Sequence, residues 1–129
     1  MFAEIAFLLY LAHLVADYPL QSDHQAAHKS APGWPGWWAN LTHAAAHGTT
    51  CGLALVVGIS VLEWHISGPA AVGALVWIAA THALIDRRWP VAWWMRVAGQ
   101  QRWARNGGAA HIDQTAHITA LTIAALALA

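Results

Sequence analysis

Four polar pairs constrain this chain more than anything else in it: His13 and Asp17, His43 and His47, His82 and Asp86, and Asp113 and His117. The members of each pair stand four residues apart, and each pair lies in a different stretch of apolar sequence. Side chains at i and i+4 project from adjacent turns of one helix face. Each pair is therefore read as two neighbouring groups on one helix. In His43-Ala44-Ala45-Ala46-His47 only alanine separates the imidazoles, a spacing that suits two ligands to one metal or to neighbouring metals. A fold that hosts all four pairs must let four helices share one polar interior.

Composition decides what kind of helices these are. The 129-residue chain is 58% hydrophobic and 9% charged, with a mean hydropathy of +0.43, whereas soluble domains carry about 25% charge. These values predict a multi-pass membrane protein, one all-α domain over residues 1–129. Apolar segments place helices at about 2–18, 37–63, 69–87 and 109–129, each near the roughly 20 residues a crossing needs. The connection from Gln21 to Gly36 holds Pro32-Gly33-Trp34-Pro35-Gly36, a density of Pro and Gly expected to exclude helix there. Residues of about 90–105 are too polar to cross, but Val91, Trp94, Met95 and Ala98 fall at helical spacing. A short interfacial helix is expected there. No segment alternates, so strands are not expected. Cys51 is alone, which excludes an internal disulfide and a Cys-rich metal site and leaves it as a packed side chain. Met1-Phe2-Ala3-Glu4 lacks the positive start of a signal peptide, so the first helix is read as retained.

An up-down order of four crossings brings the end of the first helix, the start of the second, the end of the third and the start of the fourth to one face. All eight residues then lie within roughly 4–15 Å of that face. Lys29, Arg87, Arg88, Arg96, Arg102 and Arg105 are the only Lys and Arg residues, and all fall in the two connections on that side. The positive-inside rule makes it cytoplasmic, in an inner-membrane protein with both termini non-cytoplasmic. Trp34, Trp37, Trp38, Trp89, Trp93, Trp94 and Trp103 are expected as an aromatic belt at that face, with Trp64 at the opposite one.

Ionisable residues at membrane depth are costly and face the bundle interior. Five histidines and three aspartates exceed one tetrahedral zinc. They suit one ion with supporting residues, or two ions. His13, Asp17, His43, His47, His82, Asp86, Asp113 and His117 are the candidate ligands, with zinc expected and manganese or iron as the other choices. Such a site activates water and polarises phosphoryl or carbonyl oxygen. Beneath the headgroups, that chemistry suits a lipid or an isoprenoid phosphate. In the expected mechanism Asp17, Asp86 or Asp113 takes the proton of the attacking water, and Lys29 or Arg88 neutralises the leaving group. Metal binding alone does not make an enzyme. A metal-free polar network or proton relay, a metal pathway, and a membrane effector of a phage are the other readings. His24, His28, His65 and His111 are read as interfacial, and Gln21 and Gln114 as partners of the ligands. Membrane lipids are the expected partners. No nucleic acid is expected, and homo-oligomers are left open.

His13-Leu-Val-Ala-Asp17-Tyr-Pro-Leu-Gln21, Lys29, His43-x3-His47, His82-x3-Asp86 and Asp113-Gln114-Thr-Ala-His117 together resemble a family of small bacterial and phage integral-membrane proteins of unknown function. More distantly the pattern is similar to inner-membrane proteins regarded as metal-dependent hydrolases. Position by position, that resemblance implies the same eight residues as the site. One departure is visible: a lysine is expected shortly after the third-helix aspartate, where Arg87-Arg88-Trp89 stands here.

Overall fold

The computed structural model of the chain describes all 129 residues and contains helices and no strand. Four long helices, α1 (Phe2–Asp17), α3 (Gly33–Val61), α4 (Gly68–Ile85) and α7 (Ala109–Leu128), carry the polar pairs. They close a ring in which α1 packs on α3 and α7, and α4 packs on the same two. Shorter elements lie in the connections: α2 (Asp23–His28), α5 (Trp89–Val97) and the single turn α6 (Gln101–Trp103). A wide turn over Ala104–Gly108 then leads into α7, with Gly107 at φ 92° breaking the helical path.

The connection after α1 differs from the sequence expectation. Ser22 caps α2, accepting from the Gln25 amide while the Gln25 side chain accepts from the Ser22 amide. This reciprocal box satisfies two amides that a helix start leaves without partners. The Pro/Gly run, expected to be loop, instead forms the start of α3. Pro35 falls in the first turn, where the missing N–H costs nothing. Gly36 lies so close to the Ala31 carbonyl that no Cβ fits. The stretch expected as one interfacial helix is broken at Ala98–Gln100, with Gly99 in the left-handed region at φ 70°. Its first part, α5, buries Val91 and Met95 and exposes Trp89, Trp93 and Trp94.

The ring's interior has two halves. Away from the polar pairs, Ile5, Leu9, Cys51, Leu55, Ile78, Leu121, Ala124 and Leu128 pack into an apolar core. Small residues line the seams, among them Ala12, Ala16, Ala44, Ala74 and Ala120, and let helices approach closely. Trp64 departs from its expected place at a membrane surface. It is buried, lies flat on Gly58 and donates its indole N–H to Glu4 at 3.2 Å. A large side chain beside a glycine gap fills the interior at the turn where α3 ends.

The outside of the ring is apolar as well. Phe7, Leu11, Leu53, Val56, Val72, Val76, Ile123 and Leu126 are all exposed. Helices that are apolar on every side call for an apolar environment. By length and composition α3 and α4 are long and apolar enough to cross a membrane. The expectation of four such crossings is met by two. The other two fall short for visible reasons: α1 is only 16 residues long, and α7 carries His111, Asp113, Gln114, His117 and several threonines.

Gly58→Ala should lower the thermal midpoint, since its Cβ would run into the Trp64 ring, a cost of about 1–3 kcal/mol for overpacking. Gly73→Ala, on an open face of α4, should leave the midpoint unchanged or raise it. Equal midpoints for the two variants in a detergent melt would contradict this packing.

Candidate metal centre

The four helices deliver five imidazoles into one buried cluster. His13, His43, His47, His82 and His117 are each at most 3% exposed. His47 and His82 stack with ring centroids 3.5 Å apart, and His13 touches His47, His82 and His117. Cross-helix ties hold the geometry. Asn40, one turn before His43, donates to the Ala83 carbonyl at 3.1 Å. That contact pins the last turn of α4, where His82 and Asp86 sit.

Two carboxylates divide the cluster. Around Asp17, Oδ1 lies 3.2 Å from His43 Nε2 and 3.1 Å from His47 Nε2, while Oδ2 lies 3.1 Å from His13 Nε2. Around Asp86, Oδ2 lies 3.1 Å from His82 Nε2, 3.5 Å from His43 Nε2 and 3.0 Å from Lys29 Nζ, and Oδ1 lies 3.6 Å from His117 Nε2. Two sets of ligand atoms converge to within 4.8 Å: Asp17, His43, His47 and His82, and then His82, Asp86 and His117.

Hydrogen bonding accounts for only part of these contacts, those of His43 and His47 with Asp17 Oδ1. Buried and unpartnered despite such neighbours are His13 Nε2, His82 Nε2 and Asp86 Oδ2, so their N–H and lone-pair directions miss one another. His43 Nε2 is asked for two incompatible roles. It lies 3.2 Å from Lys29 Nζ, which only donates, and 3.2 Å from Asp17 Oδ1, which as a carboxylate only accepts. One imidazole nitrogen cannot accept from the first and donate to the second. Ligands around a tetrahedral zinc at about 2.0–2.1 Å stand roughly 3.3 Å from each other, close to the separations seen. The buried His/Asp cluster therefore can hold a metal ion, with three nitrogens and one oxygen available from the first set. His47 is also prepared for ligation, since its Nδ1 meets His13 Nδ1 at 3.3 Å. With that ring N–H donated to His13, the Nε2 lone pair of His47 faces the cluster.

The eight residues expected as ligands are thus brought to one end of the bundle, in unequal positions. His13 stands behind His47 and belongs to neither converging set. Asp113 is at the rim, about a quarter exposed, with only His117 Nε2 near it at 3.6 Å. Lys29 reaches the cluster. Arg88, named with it as a candidate, does not: at the break between α4 and α5 its backbone is left-handed, φ 63°, and its exposed side chain forms no ion pair or hydrogen bond. The neighbouring Arg87 does the work instead, donating to the carbonyls of Lys29 at 2.9 Å and Ala31 at 2.8 Å while stacking over Trp37 at 4.5 Å. In the sequence Arg87 stands out only as one of the basic residues of its connection. Nothing local marks a clamp whose partners are 56 and 58 residues away. Gln21 folds back onto the Asp17 carbonyl at 2.8 Å.

The cluster opens through a polar cleft of about 120 Å³ lined by Asp17, Tyr18, Gln21, Lys29, Asp86, Asp113, Gln114 and His117. At the other side of the bundle end His24 and His28 stack on α2, exposed and apart from the cluster.

Residues 5–129 match the family described as "Protein of unknown function (DUF3307)", and the chain belongs to that family. No curated protein and no solved structure matches it.

Arg87→Lys keeps the charge but loses the planar fork and the stacking face. Hydrogen bonds to a charged donor are worth about 1.5–3 kcal/mol each. Amide exchange at Lys29 and Ala31, whose N–H groups are bonded to Gln25 and His28, should accelerate at least roughly tenfold. Unchanged protection there would remove Arg87 from the account of how Lys29 is placed.

Proposed function

We propose that this family member is a membrane-embedded metalloprotein that hydrolyses a phosphoester or lipid-linked substrate at the cytoplasmic face of the inner membrane. The observation that carries the reading is the convergence of buried His and Asp ligand atoms, several of them without a hydrogen-bond partner. A cation held by the first set would take up His82 Nε2, one of the unpartnered atoms. His43, His47, His82 and Asp17 would hold it, and this imidazole-rich, oxygen-containing set favours zinc, with manganese or iron as the other choices.

Membrane placement draws on the apolar outer surface of all four long helices. Within α1, Phe2–Asp17 spans about 24 Å, which a locally thinned bilayer accommodates. The six basic residues lie in the connections at the cluster's end and set the orientation with both termini non-cytoplasmic. The exposed tryptophans of α5 would sit among the headgroups.

When bound, such an ion supplies Lewis acidity toward a phosphoryl or carbonyl oxygen and makes water more acidic. The chain's own residues do the rest. The cleft admits the polar end of a substrate, and Lys29 lies in its wall to face an anionic group. Asp17 and Asp86 each have at least three nitrogens about them, whereas Asp113 is nearly free at the rim. Asp113 is therefore the carboxylate placed to take a proton from water. A pathway through the bundle fits less well, because Leu9, Leu55, Ile78 and Leu121 close the interior beneath the cluster.

Purified protein reconstituted with zinc or manganese should cleave a member of a panel of lipid phosphates and phosphodiesters. Asp113→Asn should slow that cleavage by about 10²–10⁴-fold, the usual contribution of a positioned base, while keeping its metal. Full turnover in the variant would take Asp113 out of the mechanism. Absence of cleavage across the panel, with metal bound, would favour a binding role.

A further inference from the structure

Lys29 stands where a second metal ion would have to sit. Its Nζ lies 3.0 Å from Asp86 Oδ2 and 3.2 Å from His43 Nε2, so it faces the carboxylate oxygen that His82 also approaches, while His117 lies by the other oxygen. The side chain is only 15% exposed and Asp86 only 4%. Backbone contacts fix it from behind, since Arg87 grips the Lys29 and Ala31 carbonyls. The ammonium is thus a built part of the cluster rather than a surface charge passing over it.

We propose that Lys29 is a tethered cation that takes the place of a second ion, so that each chain binds one divalent metal, at Asp17, His43, His47 and His82. Resting on the metal-binding reading above, this deepens it by fixing the number of ions and which half of the cluster holds one. Charge gives the independent argument. Ligating imidazoles are neutral, so the end of the bundle carries three carboxylates, Asp17, Asp86 and Asp113. One divalent ion and one ammonium balance them. A second divalent ion beside the ammonium would leave two uncompensated positive charges in a largely buried site, where like charges repel. Asp86 and His117, the second set's own donors, are what a second ion would use once the ammonium is removed.

The test is metal stoichiometry, measured by elemental analysis and zinc titration of the detergent-purified full chain beside Lys29→Met and Lys29→Arg. Methionine keeps much of the apolar stem and drops the charge, and arginine keeps the charge. The expected result is one equivalent in the wild type and Lys29→Arg and two in Lys29→Met, with all three eluting as the same species with equal helical content. Two equivalents in the wild type would overturn the proposal, a result that stands even if Lys29→Met does not fold. One equivalent in a folded Lys29→Met would overturn it as well while leaving the metal reading intact. No metal in any of the three would remove the metal reading itself.

Discussion

Gathering eight ionisable side chains, six of them buried, at one end of a four-helix bundle is the constraint on which the rest of this structure depends. An unpaired charge in an apolar interior costs several kcal/mol even after relaxation, and an unsatisfied buried polar atom costs about 1–3 kcal/mol. Hydrogen bonds among the residues do not discharge that cost, because His13 Nε2, His82 Nε2 and Asp86 Oδ2 are left without partners. On the proposed reading, a cation held between carboxylates and neutral imidazoles would offset much of it. Lys29 already supplies one positive charge on Asp86, and the atoms about Asp17 are arranged for another.

The architecture follows from keeping this cluster at one end. Below it, Ile5, Leu9, Leu55, Ile78 and Leu121 fill the interior, and small residues bring the helices into close van der Waals contact. Above it, the connections hold the cluster in place: Asn40 fastens α4, and Arg87 fastens the segment that carries Lys29. Asp113 at the rim adds the one carboxylate with room to act on water.

The helical segments and the gathering of the polar pairs were legible in the sequence, because an i,i+4 spacing within apolar segments leaves one helical reading and an up-down order leaves one meeting place. What was not legible depended on particular contacts. Pro35 reads as a breaker unless it falls within the first turn, which the approach of Gly36 to Ala31 decides. Trp64 reads as an interfacial residue unless a glycine at position 58 opens a slot for it. Arg87 and Arg88 are alike in sequence, yet the left-handed backbone at Arg88 sends only Arg87 inward to the Lys29 segment. His13 and Asp113 share the spacing of the other site residues, but spacing does not tell a ligand from a supporting group or a rim carboxylate.

The central claim is that the four atoms about Asp17 surround an ion, and X-ray absorption on zinc-reconstituted protein tests it most directly. The account predicts a four-coordinate nitrogen and oxygen shell at about 2.0–2.1 Å, with imidazole scattering from three histidines that is lost in a His43→Ala/His47→Ala variant. A folded protein that retains no metal after exposure to zinc, manganese and iron would contradict it, and so would a bound ion whose shell is unchanged in the double variant.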